Sequence, residues 1–479
     1  MTATLAAPVR IGRAALGALG MLALATGALE SVVTPTLPLL QRELGMTPAQ
    51  GALLSVVLLI TGALVTPVAG KFGDRYGGKR VLVRLMAVVC VGGTVSAVAP
   101  SLPVLLLGQV LQGAMVGALP LSFILVREHL PAGQSKVAIG VVSGLFVGGG
   151  MAGTLAAGPV AEGLSRHWMF ALPTIAVVVA TALVHRLMPH DPQDVDVDVD
   201  VDVDVGAGRS DGAGIDWPGL LLLSGTLVTL MLSLALAPEI GSRPLVLAAL
   251  VVVLAAFVAG WTAVERRAAS PMVDPRMLAR PEVWKSCVLT FVICVGTSMA
   301  VYLVPQLFAV PVGAYGFGAS ATQIGLFLLP GAVAASLAGP IGGIGARRFG
   351  SRAVVVTGAG LMAASLIALA AVHTEIWHLV VGKAVIALAN GLCVTAMVTS
   401  TATSVERGDT GIATGLVLVA RVVGYAVGAQ VSGAILTAGT PAGSDVPAES
   451  AFVTGFVIAG VVAALSLLVT RNVSKEAKA

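Results

Sequence analysis

The stretch Gly70–Arg80, GKFGDRYGGKR, decides the fold. It follows an apolar run near 49–70 and precedes another near 81–100. Each run has the length, about 20 residues, that carries an α-helix across the hydrocarbon core of a bilayer. A short, basic, glycine-punctuated segment between two such runs reads as a turn between membrane spans. The same element returns at 343–352 as GIGARRFGSR. A shift of 273 positions superimposes Pro38 on Pro311, Gln50 on Gln323, Gly70 on Gly343, Arg75 on Arg348 and Gly77 on Gly350 without a gap. Nearly the same shift, 275, takes Gly140, Gly149 and Gly153 to Gly415, Gly424 and Gly428. The chain is therefore read as two parallel, related halves, a design that places a transport site near the midplane between them.

Outward from these two loops, apolar runs fall near 14–40, 49–70, 81–100, 103–126, 137–161 and 167–187. A second series lies near 217–238, 244–264, 286–312, 321–345, 353–373, 376–404, 410–438 and 451–470. Backbone groups in lipid must be satisfied within their own segment, and these runs show no period-two alternation, so the predicted class is an all-α membrane protein. The expectation is 14 transmembrane helices, two pseudo-symmetric six-helix bundles plus two inserted helices. The domains follow: an N-terminal six-helix bundle at 1–190, a cytoplasmic Asp-Val linker at 191–216, inserted helices 7 and 8 at 217–270, and a C-terminal six-helix bundle at 271–479. In the linker, six Asp alternate with Val from Asp194 to Val205. Like charges on one face would repel in a strand, which favours a disordered segment over a structured or cation-binding one.

At 57% hydrophobic and 11% charged residues a soluble fold is excluded. All but five of the 28 Lys and Arg lie on the face that carries both termini; Arg42, Arg166 and Arg243 lie opposite, and Lys383 and Arg421 fall inside spans. This bias predicts a multi-pass protein of the cell (inner) membrane with both termini cytoplasmic. All five Trp (Trp168, Trp217, Trp261, Trp284, Trp377) sit near predicted span ends, where amphipathic rings prefer the interface. The scattered basic residues form no aromatic-interleaved patch, so no nucleic-acid partner is expected. Cys90, Cys287, Cys294 and Cys393 lie in apolar runs without ligand spacing and read as small buried hydrophobes. The start, MTATLAAPVRIGR, leads into a run too long for a signal core, which reads as an uncleaved first helix. No Walker loop appears, and no His or Asp constellation of a membrane hydrolase, so the expectation is an ion-gradient-driven protein with no metal, no cofactor and no enzymatic activity.

With these motifs placed, the chain resembles the major facilitator superfamily, and specifically its 14-helix drug:proton antiporter family. Gly70, Asp74, Arg75, Gly77 and Lys79 match the signature loop between spans 2 and 3, with Gly78 where the pattern usually has Arg. Gln112 and Gly113 match the span 4 motif, and Gln109 stands in place of its arginine. Gly158, Pro159 and Gly163 match the antiporter motif of span 5, whose closing glycine pair is interrupted by Glu162. The resemblance implies a loop that biases the two access states, drawn here from Gly70, Asp74, Arg75, Gly77, Lys79, Arg348 and Gly350. A solvated positive-inside turn is the plainer reading of its charges. It implies an antiporter segment comprising Gly149, Gly153, Gly158, Pro159 and Gly163; helix packing is the plainer role of these glycines.

Glu30 is the single charged residue between Arg13 and Arg42, deep in span 1. A carboxylate there costs about 3 kcal/mol on an insertion scale, so it either binds and releases a proton facing a cavity or hydrogen-bonds a neighbouring helix. The resembled family also carries an acid in this part of span 1. Arg421 in span 13 matches that family's pattern. Lys383 in span 12 lies 274 positions from Gln109, and either replaces the charge missing there or snorkels to the interface. Proton and substrate coupling is accordingly assigned to Glu30, Arg421, Lys383 and Gln109. The resulting expectation is a proton-coupled secondary transporter, acting as a monomer in the bilayer, that exports amphiphilic drugs or secondary metabolites by alternating access. A proton-coupled importer of a small solute and a non-transporting membrane receptor remain as alternatives.

Overall fold

The computed structural model describes residues 11–189, 217–240, 244–266, 280–404, 410–444 and 446–471. The Asp-Val repeat lies outside the described residues, as do the side chains of Asp74 and Arg75. Every regular element among the described residues is helical. In chain order these are α1 (Arg13–Ser31), α2 (Val33–Leu44), α3 (Pro48–Tyr76), α4 (Gly78–Ala97), α5 (Leu102–Gly113), a 3-10 turn (Ala114–Gly117), α6 (Ala118–His129), α7 (Ala132–Gly163) and α8 (Arg166–Leu187). They continue as α9 (Trp217–Ile240), α10 (Pro244–Glu265), α11 (Pro281–Ala309), α12 (Ala321–Phe349), α13 (Ser351–Ala371), α14 (Ile376–Ser404), α15 (Thr410–Ala438) and α16 (Glu449–Arg471).

Thirteen segments of the described residues are long and apolar enough to cross a membrane. The helix α9, 24 residues long, covers the expected seventh span, and its described residues include the apolar stretch Leu221–Leu230. Two predicted rods are interrupted. The first breaks at Val32 because Pro35 has no N–H for the Ser31 carbonyl and its ring crowds that oxygen. The fourth passes through the 3-10 turn bracketed by Gly113 and Gly117, which are poor helix formers. The signature loop is also shorter than its glycines suggest. Gly70 is helical, and α3 runs on to Tyr76. The reversal falls on Gly77 alone, at φ +91°; its repeat partner Gly350 turns α12 into α13 in the same way at φ +84°. Only glycine adopts such backbone without strain.

The helices cluster into two compact units. The first comprises Met1–Val32, Thr61–Ala156 and Gly163–Ile215, and the second Val33–Ile60, Ala157–Glu162 and Asp216–Ala479. In the first unit α4 packs on α5 and α8, and α1 on α8. In the second, α11 packs along α15, α16 and α14, while α12 and α13 pack on α14. There α9 lies against α15 and α10 lies against α9. Only 6% of Ala248–Glu265 is buried, so α10 presents an apolar face suited to lipid.

The repeat is visible in packing. A side chain on Gly149 or Gly153 of α7 would overlap the carbonyl oxygens of Leu24 and Ala28 on α1. Their counterparts Gly424 and Gly428 on α15 meet the carbonyls of Phe291 and Val295 on α11 in the same manner. In both units a glycine pair one turn apart lets two backbones touch, the small-residue packing by which helices associate in lipid.

Candidate functional site

Glu30 occupies the last turn of α1, just before the break, and is half-buried. That turn is fixed by backbone contact: Gly27 abuts the Phe146 carbonyl, and Gly150 lies opposite Ser31. Glu30 is thus carried on a turn of α1 that packs closely on α7. Gln109 is 1% exposed and donates from Nε2 to Ser96 Oγ at 3.4 Å. Gln112 donates to the same Ser96 oxygen at 2.6 Å and to the Gly92 carbonyl at 3.3 Å. Among the described residues Gln109 therefore belongs to a knot between α4 and α5. Lys79, expected in the signature loop, is buried and donates from Nζ to the Met188 carbonyl at 2.7 Å. A cation on the exposed carbonyl end of α8 complements the helix dipole. Arg348 is exposed in the last turn of α12, where a cation has the same advantage.

The second unit carries a polar cluster near the middle of its helices. Thr297 of α11 donates to Asn390 Oδ1 on α14 at 3.2 Å, and Asn390 Nδ2 donates to the Tyr425 hydroxyl on α15 at 3.0 Å. Ser298 Oγ holds the Tyr425 backbone carbonyl at 2.5 Å. Arg421, one turn from Tyr425, is exposed and acts electrostatically on both Tyr425 and Cys294. Lys383 lies on α14 beside Gly331, on the Asn390 face two turns away. The sequence singled out Arg421 and Lys383 by charge. Asn390, Thr297 and Tyr425 were readable only as polar residues inside apolar runs, with Tyr425 four positions after Arg421.

At the end of this unit where Met46 and Thr47 join α2 to α3, a second network ties segments from opposite halves of the sequence. Gln41 Nε2 donates to the Tyr302 hydroxyl at 3.1 Å, Gln306 Nε2 donates to Gln41 Oε1 at 2.6 Å, and the Tyr302 hydroxyl donates to the Pro48 carbonyl. Arg42 donates to the Ala309 carbonyl at 2.6 Å, and the Ala49 N–H donates to Thr437 Oγ1 at 3.0 Å. Gly433 abuts Pro48, Ala49 and Ala52. At the end of α7, Glu162 accepts from the Thr322 N–H at 3.2 Å and from its hydroxyl at 2.6 Å. Gly158 meets the backbone of Ala321 and Thr322. The interrupting acid of the antiporter segment therefore sits on the N-terminus of α12, where a carboxylate is favoured by the helix dipole. Pro159 and Gly163 lie in the same terminal stretch of α7.

A cavity of about 830 Å³ opens beside this network, lined by Gln41, Arg42, Gln306, Thr437, Pro447 and Phe452 among others. Near it the Tyr315 hydroxyl donates to the Pro447 carbonyl. Burial, and then the negative charge of Glu449, push that phenol up to about 12, so it remains a neutral donor. One turn inward of Gly433 on the same face of α15, Gln430 is fully buried with neither amide atom paired. No group of three or more metal-ligating side chains occurs among the described residues.

These elements define a multi-span α-helical membrane protein built from two repeat-related halves. It belongs to the Major Facilitator Superfamily, whose sequence profile matches residues 19–202 and 286–479. An MFS-type transporter of Mycobacterium tuberculosis, uncharacterized, is 29% identical over 423 residues, 85% of this chain and 56% of the relative. The chain thus spans about half the length of that relative. The uridine/deoxyuridine transporter of Lactococcus lactis is 27% identical over 338 residues, 68% of this chain and 66% of the relative. The puromycin resistance protein of Streptomyces alboniger is 30% identical over 256 residues, 52% of this chain and 46% of the relative. A crystal structure of a variant of the nucleoside transporter NupG shares the fold at TM-score 0.67 and 12% identity, covering 96% of this chain and 100% of the other. The relatives and structural neighbours are transporters, not enzymes.

Proposed function

We propose that this protein is a proton-coupled secondary transporter of the 14-helix drug:proton antiporter type, exporting amphiphilic drugs or secondary metabolites by alternating access. The observation that carries the alternating-access reading is the network joining Gln41, Arg42, Pro48 and Glu162 to Tyr302, Gln306, Ala309 and Thr322. It consists of a handful of individual hydrogen bonds, each worth about 1–3 kcal/mol, so it closes one end of a path without locking it irreversibly. With the termini cytoplasmic, as the basic-residue bias expects, this closed end is the external one. Glu30 supplies the proton site of the reading, and α9–α10 are the inserted pair between the bundles at 1–190 and 271–479. Signature-loop residues Asp74, Arg75 and Gly77 bias the opposite end. Lys383 and Gln109 take part in coupling beside Arg421, in a monomer of the inner membrane.

Export is favoured by the puromycin resistance relative and by the GPVAEG segment. Import of a small solute is the second reading, favoured by the uridine/deoxyuridine relative. Direction separates them. Everted vesicles energised to an acidic lumen should accumulate puromycin or another lipophilic drug more than vesicles lacking the protein. Accumulation of uridine by intact cells, with no drug movement in everted vesicles, would replace the exporter with the importer.

A further inference from the structure

We infer that the second unit grips the polar head of its cargo through acceptor atoms, so that the preferred cargo is a lipophilic acid. This inference rests on the transport reading above and adds the charge class of its substrate. The residues that carry it present donors. Arg421 offers five N–H donors and no acceptor, and it has neither an ion-pair nor a hydrogen-bond partner among the described residues. An unpaired guanidinium well inside a helix of 29 residues is costly unless it faces water or a ligand. The next turn places Tyr425 beside it. Because Asn390 donates to the Tyr425 oxygen and is itself oriented by Thr297, the phenol is held with its own proton free to donate outward. Lys383, on the same face of α14 as Asn390, adds a second cation with no described partner.

No described carboxylate answers these charges within the membrane span of the unit. Glu43, Glu162, Glu265, Glu375 and Glu449 all lie at or beside helix ends. An exposed, unpaired guanidinium beside an oriented phenol favours a carboxylate and disfavours an amine. The planar guanidinium fork, moreover, matches a carboxylate in bidentate fashion, which a lysine cannot reproduce. The charge of the cargo also sets the charge moved. Exchange of one inward proton for one outward monoanion carries two positive charges inward, whereas exchange for a monocation carries none.

The test uses the full chain in nanodiscs, with empty nanodiscs as the reference for partitioning. Three probes share one ring and differ in the head: 2-naphthoate, 2-naphthylmethanol and 2-naphthylmethylammonium. Equilibrium dialysis should show naphthoate bound at least ~10-fold more tightly than the ammonium, the scale of one lost charge-assisted bond. Arg421→Gln should remove that preference while leaving naphthylmethanol within about two-fold, and Arg421→Lys should restore part of it. A preference for the ammonium, or equal losses of all three probes in Arg421→Gln, would overturn the inference. Binding requires no flux, so the two readings fail separately. Naphthoate preference without movement of any probe in proteoliposomes overturns transport and keeps the head-group assignment; electroneutral drug–proton exchange with ammonium preference does the reverse.

Discussion

At the scale of single residues, the polar groups buried in the membrane span divide into those that hold helices together and those that do not. Lys79 and Gln109 have protein partners that account for them. Gln430 does not: both its amide atoms are buried and unpaired, one turn behind the contact of Gly433 with Ala52. An unsatisfied amide costs about 1–3 kcal/mol, and opening of that end of the unit would relieve the cost. Gln430→Leu is therefore expected to raise the melting temperature of the purified protein and to slow turnover, because the closed state alone gains. A lowered melting temperature would mean that the amide is satisfied there. Glu30 and Arg421 stood out in the sequence because a charge in an apolar run is conspicuous. Gln430 and Asn390 were no less visible as letters, but uncharged polar residues are frequent helix-packing groups, and only the placement of neighbouring helices separates the paired from the unpaired.

At the scale of elements, two devices recur in both halves: the single-glycine reversal at Gly77 and Gly350, and the glycine pairs that seat α7 on α1 and α15 on α11. Gly149→Leu and Gly424→Leu each force a side chain into a neighbouring carbonyl and should destabilise their own unit by about 1–3 kcal/mol, read as a fall in thermal stability. Equal stability of both variants and the parent would show that the helices separate freely. The network around Tyr302 is an element-scale latch. Tyr302→Phe removes the hydroxyl that donates to Pro48 and accepts from Gln41. Loss of about 1 kcal/mol of hydrogen bonding shifts a two-state opening roughly five-fold. In a background without the four native cysteines, a cysteine at the buried Ala49 should then react correspondingly faster with an impermeant thiol reagent; unchanged labelling would remove Tyr302 from the latch. Sequence spacing identified the related loops and glycines because a repeat leaves matching letters. It could not identify the latch, since Gln41, Tyr302 and Gln306 meet only through tertiary packing. The breaks at Val32 and at Gly113–Gly117 were likewise averaged away by apolar runs that continue through them, although Pro35 was the visible cause of the first.

At the scale of the whole molecule, composition and run length were enough for an all-helical, multi-span membrane protein, because a bilayer leaves the backbone few other solutions. Thirteen segments of the described residues meet the length and apolarity of a span, and Trp217–Ile240, over the expected seventh run, is a 24-residue helix. The functional reading assigns the proton to a carboxyl of the first unit, the cargo to a donor-rich face of the second, and gating to a latch within the second. Its central claim is that Glu30 carries the proton exchanged for cargo. The most direct measurement loads proteoliposomes with a pH-sensitive dye, adds lipophilic compounds in turn, and compares the parent with Glu30→Gln. The account predicts substrate-induced proton movement in the parent and its loss in the variant at equal reconstitution. Equal proton signals from both proteins would contradict it.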